Sequence, residues 1–357
     1  MSRWATRAGW CATGVALVVA AGVHAAPPVQ RGIALGLFSA DAEARYGPYL
    51  DEIVAQGASH VSLVTVWYQH DIRSSTLAPR PGYTVSEANL RRTIAAAHAR
   101  GLRVMLFPIV GIESRARNEW RGKIQPARWD DWFDSYQSYI LRMARIAAEH
   151  HVAILGVGSE LLTTEPMRER WIALIRSARE IFKGQILYSA NWDHFEPVTF
   201  WDQVDLLGVT GYYELTQQDD PDLPTLTAAW RRWQAPLLAH ARRVGKPLVF
   251  TEIGYPSLDG ANRYPWDETR QARRDADEQA LCYRAFIEAW DDEPLLQGVY
   301  FWNWFGPGGS QDKDYTPRGK PAARVLQQWY AIQAPAPQLH EDTGQAAGLL
   351  PPGSGQP

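Results

Sequence analysis

The sequence has little of what would link the chain covalently or attract a charged partner. Its 357 residues include 2 cysteines and 4 methionines, and the formal net charge is −3. Such a small charge gives no electrostatic footprint for nucleic acid and no basic patch for anionic lipid. With 46% hydrophobic and 21% charged residues, the chain can bury a large core without metals or disulfides. These shortages favour an ordinary globular domain.

The first 25 residues have the pattern of a secretory signal. Two arginines precede a run of small and apolar residues, 12–23, which is too short for a membrane span. Cleavage after Ala25 fits the small-x-small pattern, and the alternative is an uncleaved membrane anchor. Cys11 would leave with this segment, so Cys282 would stand alone and no internal disulfide is possible. The sequence therefore predicts a periplasmic or secreted protein.

Strand-like apolar runs alternate with amphipathic helical patterns along the rest of the chain. The predicted strands are Gly32–Ser39, Val61–Tyr68, Arg103–Val110, Ile154–Glu160, Ile186–Asn191, Leu206–Tyr213, Leu248–Tyr255 and Gly298–Trp304. The predicted helices are Tyr46–Gln56, Glu87–Arg100 behind the N-cap Ser86, Trp129–Glu149, Met167–Phe182, Leu226–Val244, Gln271–Trp290 and Pro321–Ala331. Only the connection 195–204 is too short for a full helix.

Eight repeats of strand and helix predict an α/β fold, a single (β/α)₈ TIM barrel over residues 26–332. A doubly wound sheet is the competing layout, but it is expected to carry a Gly-rich phosphate turn after its first strand. The segment from Gly36 to Ser39 has no such turn. Residues 333–357 are rich in Pro, Gly, Gln and Ala without apolar periodicity, which predicts a disordered tail.

In such a barrel the active site lies at the carboxyl ends of the strands, and the residues predicted there are mostly acids and aromatics. Two carboxylates flanked by aromatic rings suit glycoside hydrolysis, since one protonates the leaving oxygen and the other meets an oxocarbenium-like centre. Glu160 and Glu252 are the best pair, because each ends an apolar strand where an unpaired carboxylate is costly. Strict alternation places Gly156 and Gly158 on the face of Glu160, and Leu248 and Phe250 on the face of Glu252.

Three segments of the chain resemble glycoside hydrolase family 113, a family of β-1,4-mannanases in the clan of retaining (β/α)₈ glycosidases. They are Gly156-Val157-Gly158-Ser159-Glu160, Thr251-Glu252-Ile253-Gly254-Tyr255 and the run from Gly298 to Trp304. The resemblance covers the barrel from Gly32 to about Tyr330. It implies Glu160 as the acid/base and Glu252 as the nucleophile of a retaining double displacement, with carboxyl groups about 5–5.5 Å apart.

The resemblance also assigns roles to tyrosine and tryptophan near the strand ends. A clan tyrosine after the sixth strand hydrogen-bonds the nucleophile, and Tyr212 or Tyr213 supplies it, since alternation lets only one point inward. A clan tryptophan after the eighth strand lies under the sugar, a place that Trp302, Trp304 or both would take. The full set of predicted substrate contacts is Trp67, Asn191, Trp192, Tyr212, Tyr213, Tyr255, Trp302 and Trp304.

The leading hypothesis is therefore a retaining β-glycoside hydrolase acting on a polysaccharide or oligosaccharide, with β-1,4-mannan as the substrate that the resemblance implies. One alternative is a catalytically inactive barrel that binds polysaccharide in an export or scaffold system. Another is a metal-dependent barrel hydrolase, but His70 and His194 lack the spacing of metal ligands. No cofactor, no nucleic acid and no membrane partner after signal cleavage is expected. The sequence leaves open the sugar and linkage, endo or exo action, and the oligomeric state.

Overall fold

The computed structural model describes residues 29–332 except 40 and 42. The predicted signal segment 1–25 and the predicted tail 333–357 therefore lie outside the described residues. Eight parallel strands close into a barrel in which each strand pairs with its sequence neighbours and β8 pairs with β1. They are β1 Gln30–Gly36, β2 His60–Gln69, β3 Arg103–Ile112, β4 Ile154–Ser159, β5 Gln185–Ala190, β6 Leu206–Thr210, β7 Leu248–Ile253 and β8 Leu296–Phe301. The predicted TIM barrel is confirmed.

Seven helices of the described residues lie between and after the strands. They are α1 Gly47–Ala55, α2 Glu87–His98, α3 Trp129–Glu149, α4 Arg168–Ile181, α5 Leu223–Val244, α6 Ala276–Trp290 and α7 Pro321–Ile332. The short connection after β5 holds only a 3₁₀ turn, Trp201–Gln203. No described helix is long and apolar enough to cross a membrane.

Side-chain caps set the helix starts. The hydroxyl of Ser86 accepts a hydrogen bond from the Asn89 N–H at the start of α2, as the sequence predicts. The predicted start of α6 at Gln271 is five residues early, because the carboxylate of Asp275 caps the first turn and accepts from the Glu278 N–H.

The core has two layers. An inner cluster fills the barrel and consists of Ala34, Val64, Met105, Phe107, Ile154, Leu187, Leu206, Val249 and Tyr300. A larger outer cluster lies between the sheet and the helices, and it buries Trp132, Trp171, Trp230 and Trp290 completely. Several of the 16 tryptophans therefore serve as core residues.

Candidate active site

Glu160 follows β4 directly and is 6% exposed. Its backbone φ is +55°, a left-handed conformation that is uncommon for residues other than glycine. The pairing of β4 with β5 shifts register between Gly156 and Ser159. A Cβ on Gly156 would meet Phe107 inside the barrel, whereas one on Gly158 would meet Trp171 and Tyr188 outside it. The predicted shared face of the two glycines is therefore wrong, because the irregularity breaks the alternation.

Glu252 lies in β7, where the register shifts again, and it is 3% exposed. Leu248 and Phe250 belong to the outer cluster, and the Phe250 ring packs on Trp290 of α6. These two residues point away from the barrel axis, so the prediction that they share the face of Glu252 is also wrong. A register irregularity re-aims side chains beside it, which is how β7 presents a carboxylate at the barrel mouth.

The carboxylate of Glu160 is held by two donors from other elements. Arg121 donates from Nη2 to Oε2 at 2.6 Å, and Thr210 at the end of β6 donates from Oγ1 to Oε1 at 2.9 Å. Thr210 also pairs with Glu252 across β6 and β7, so it links the two acids. Neither Arg121 nor Thr210 is predicted as a site residue from the sequence. Arg121 lies in a 3₁₀ turn, Arg121–Lys123, within a loop of several arginines, and no local pattern distinguishes it.

Glu252 is surrounded differently. The Tyr212 hydroxyl donates to its Oε2 at 3.1 Å, and its Oε1 is buried with no hydrogen-bond partner in the described part of the chain. Burial, followed by the negative charge of Glu160, raises the pKa of Glu252 to about 7, against the opposing effects of Arg121 and Tyr212. The open choice between Tyr212 and Tyr213 is thereby decided, since Tyr213 is fully buried against Trp230 and Trp233.

The site thus joins two buried carboxylates, one cation and one phenol. With a pKa raised to about 7, Glu252 can keep a proton near neutral pH. The Arg121 guanidinium can donate but never accept, and it lies 2.6 Å from the Glu160 carboxylate that it contacts. Arg121 Nε is itself buried without a hydrogen-bond partner among the described residues. This arrangement suits a reaction that moves one proton and uses one free carboxylate oxygen.

Aromatic side chains follow the carboxyl ends of β1, β5, β7 and β8. Trp302, partly exposed after β8, packs on Phe38 after β1 with ring centroids 6.1 Å apart. On the side of β5 and β7, Trp192 packs edge-on against Tyr213 and Trp233 and stacks with Trp266 at 6.1 Å and an interplanar angle of 11°. Trp266 is 44% exposed. Asn191, next to Trp192, donates to the Asp193 carboxylate.

Three other predicted contacts lie away from the carboxylates. Trp67 stacks on Tyr139 of α3, outside the sheet. Tyr255 is fully buried and accepts a hydrogen bond from the Trp230 indole. Trp304 is 2% exposed and donates to Glu52 of α1. Trp67 faces the helices because alternate residues of β2 point to opposite sides of the sheet. Tyr255 and Trp304, like Tyr213, follow the ends of their strands and contact residues of the helices.

His70 and His194, the two histidines considered as metal ligands, each contact one carboxylate in the described structure. His70 is on the surface 3.6 Å from Glu113, and His194 contacts the buried Glu165 through Nδ1 at 2.5 Å. Within residues 29–332, no group of three or more His, Cys, Asp or Glu side chains is arranged to hold a metal ion.

Comparisons with known proteins agree with this geometry. The sequence profile of glycoside hydrolase family 113 matches residues 39–320. No curated protein matches the chain. Among solved structures, the β-mannanase of family 113 from Alicyclobacillus acidocaldarius is 29% identical, with a TM-score of 0.78, covering 86% of this chain and 99% of its own.

Two further structures share the fold. A β-1,4-mannanase of family 113 is 24% identical with a TM-score of 0.77, covering 85% of this chain and 99% of its own. A β-glucuronidase from Faecalibacterium prausnitzii is 15% identical with a TM-score of 0.59, and the match covers 86% of this chain but 49% of that one. The whole barrel is therefore common to the mannanases, and it corresponds to about half of the glucuronidase.

Proposed function

The chain belongs to glycoside hydrolase family 113, and on this basis we propose that it cleaves β-1,4-mannan or a mannan-like oligosaccharide, with Glu252 as nucleophile and Glu160 as acid/base. It is a retaining glycoside hydrolase. The match to a β-mannanase over almost the full length of that enzyme supports the substrate. The free Oε1 of Glu252 supports the nucleophile role. The two roles require that the proton that burial favours on Glu252 lie on Glu160 once substrate is bound.

In the first step, Glu252 Oε1 attacks the anomeric carbon. This oxygen has no protein hydrogen bond to break, while the Tyr212 hydroxyl holds Oε2 and fixes the orientation of the carboxylate. Glu160 donates a proton to the glycosidic oxygen, so the leaving sugar departs as an alcohol and a covalent glycosyl ester remains on Glu252. Glu160 then takes a proton from water, and that water attacks the same carbon and frees Glu252.

The proton that Glu160 donates must be carried on a particular oxygen. Oε2 accepts from Arg121, which has no lone pair to receive a proton. Oε1 faces the Thr210 hydroxyl, which can rotate from donor to acceptor. Protonated Glu160 therefore carries its hydrogen on Oε1, or else Arg121 moves as the substrate enters. In the second step the same Arg121 contact stabilises the carboxylate that serves as base.

Substrate contacts are proposed for the residues that reach the barrel mouth. Trp302 offers a partly exposed ring on the side of β8, and Trp192 with Asn191 lies on the side of β5. Sugar faces stack on such indole rings, so the chain of sugars would cross the carboxylates from one aromatic side to the other. Trp67, Tyr213, Tyr255 and Trp304 are not proposed as contacts because their side chains point toward the helices.

Action outside the cytoplasm is a further part of the proposal. The signal-like pattern of residues 1–25 supports a periplasmic or secreted enzyme. The enzyme would then encounter its polymeric substrate outside the cytoplasm. The test is the size of the chain recovered from periplasm and medium, where cleavage after Ala25 is expected and a full-length chain held in the inner membrane would contradict it.

The activity is tested with residues 26–357 on a panel of β-mannan, β-glucan, chitosan and xylan, with reducing-sugar and product-ladder readouts beside Glu252→Gln. Release from β-mannan that disappears in the variant is the expected result. Release from another polymer alone would contradict the substrate. Binding to a mannan affinity gel that is unchanged in a Glu160→Gln/Glu252→Gln variant, without any release by the parent, would favour the inactive binding barrel.

A further inference from the structure

A buried polar network lies beneath the segment that carries Glu160, on the outer side of the barrel. Tyr188 of β5 belongs to the outer cluster, and its hydroxyl donates to Glu165 Oε1 at 2.7 Å. The same hydroxyl oxygen accepts from the Leu161 N–H at 3.0 Å. Leu161 directly follows Glu160, so the network contacts the peptide next to the acid/base.

The backbone on both sides of Glu160 is held by neighbouring residues of β5. The Glu160 N–H donates to the Ser189 carbonyl at 2.8 Å, and the next N–H, of Leu161, donates to the Tyr188 hydroxyl. Glu160 has a positive φ, a conformation that costs free energy and persists only where its surroundings determine it. The two hydrogen bonds from β5 provide that constraint.

Glu165 fixes the direction of the Tyr188 hydroxyl. A phenol has one proton, and because that proton goes to Glu165, a lone pair remains directed at the Leu161 N–H. Glu165 is fully buried, and its recorded ion-pair partner is His194, with no Lys or Arg among its partners in residues 29–332. Burial raises the pKa of Glu165, although Tyr188 and His194 lower it. A carboxylate buried this way is costly for stability alone, which favours a role in specifying local geometry.

The network and the 3₁₀ segment after Glu160 also contact the loops that follow β5 and β3. The Glu165 carbonyl accepts from the Thr199 hydroxyl at 2.9 Å, and His194 lies in the loop that also carries Trp192. The Thr163 hydroxyl donates to the Ile124 carbonyl at 2.6 Å, next to the 3₁₀ turn of Arg121. The segment after Glu160 forms a 3₁₀ turn, Leu162–Thr164, which is thus anchored on both sides.

We propose that Tyr188 and Glu165 are positioning residues for acid catalysis, which hold the backbone of Glu160 so that its carboxyl group reaches the leaving oxygen. This inference rests on the proposed role of Glu160. The two residues touch neither substrate nor reacting atoms. Their loss should therefore slow the reaction only where the leaving group needs a proton.

The test compares aryl β-mannosides that differ in their need for an acid. Dinitrophenolate leaves without protonation, whereas phenolate and sugar leaving groups need it. In Tyr188→Phe, kcat/KM on phenyl β-mannoside and mannooligosaccharides should fall about tenfold or more, while the value on 2,4-dinitrophenyl β-mannoside changes by less than about threefold. Glu165→Gln keeps an oxygen that accepts the Tyr188 proton. Its kcat/KM should therefore fall by less than that of Tyr188→Phe, again only on substrates whose leaving group needs a proton.

Tyr136→Phe is the matched control. Tyr136 is a buried tyrosine whose hydroxyl donates to the Val157 carbonyl of β4 at 2.7 Å, three residues before Glu160. This variant also loses one buried hydroxyl against β4, but it should show no dependence on the leaving group. Equal losses on activated and unactivated substrates in Tyr188→Phe, or a pattern identical to Tyr136→Phe, would overturn the positioning role.

The outcome separates this inference from the proposed function. If the parent cleaves the mannosides and kcat/KM of the variants falls equally on all substrates, the positioning role alone is contradicted. If Tyr188→Phe does not fold, the same comparison in Glu165→Gln decides, since an unselective loss there overturns the role. A folded parent that cleaves neither the aryl β-mannosides nor mannooligosaccharides contradicts the proposed function, and with it this inference.

Discussion

The Glu252→Gln variant should gain stability relative to the parent as the pH rises from about 4 to about 8. The pKa of Glu252 is raised from an ordinary 4.5 to about 7, mainly by burial and then by the charge of Glu160. In an unfolded chain the carboxyl group ionises freely near its ordinary pKa. Between the two values the unfolded state therefore binds fewer protons than the folded state, and the free energy of unfolding falls as the pH rises.

The size of this effect follows from the shift. A difference of about 2.5 pH units at about 1.4 kcal/mol per unit gives a destabilisation on the order of 3 kcal/mol, complete above about pH 7 and absent below about pH 4.5. Glutamine cannot ionise, so the variant escapes this loss. The amide also adds a buried N–H₂ near the unpartnered Oε1 position, at a cost of about 1–3 kcal/mol that does not vary with pH. The pH dependence of the difference therefore isolates the charge.

The assay is urea unfolding of parent and variant at a series of pH values. The free energy of unfolding of the variant minus that of the parent should rise by roughly 3 kcal/mol over this range. Glu113→Gln, at an exposed carboxylate paired with Arg80, supplies the baseline for a surface position. A difference for Glu252→Gln that is flat with pH, or that falls, would refute the reasoning that burial holds a proton on Glu252.

Three other outcomes follow from the site. Glu160→Ala should keep slow turnover on an aryl glycoside with a good leaving group and be rescued by azide to the β-azide, whereas an α-azide would reverse the roles of the two acids. Arg121→Gln removes the cation that favours ionisation of the carboxylate pair, so the alkaline limb of the kcat/KM profile should move up by about one pH unit, and an unmoved or lower limb would contradict this. Dialysis against a chelator should leave kcat unchanged. A fall in kcat that is reversed by adding metal would favour the metal-dependent hydrolase.

Much of the fold follows from local sequence patterns. Apolar runs of strand length alternate with amphipathic helices, and β2, β4 and β7 lie within two residues of their predicted bounds. The same runs end at Glu160 and Glu252, so the two acids stand out in the sequence. They do so because an apolar strand that stops at a carboxylate is rarely explained by packing alone.

The orientation of side chains at the strand ends could not be predicted in this way. The irregularities in β4 and β7 shift the register, so alternation counted along the chain gives the wrong neighbours for both acids. Arg121, Thr210 and Tyr188 reach Glu160 or its neighbouring peptide from three separate segments. Contacts of this kind depend on the closed barrel and leave no periodic signal in the sequence.

The most direct test of the central claim is the site of covalent labelling by a 2-deoxy-2-fluoro-β-mannosyl fluoride. This substrate slows both steps, and its good leaving group lets the glycosyl enzyme accumulate. Intact-mass analysis followed by peptide mapping should find one fluoromannosyl group on Glu252, released when an acceptor sugar is added. A label on Glu160 or on another residue, or turnover that gives the α-anomer first without any labelled protein, would contradict retention through Glu252.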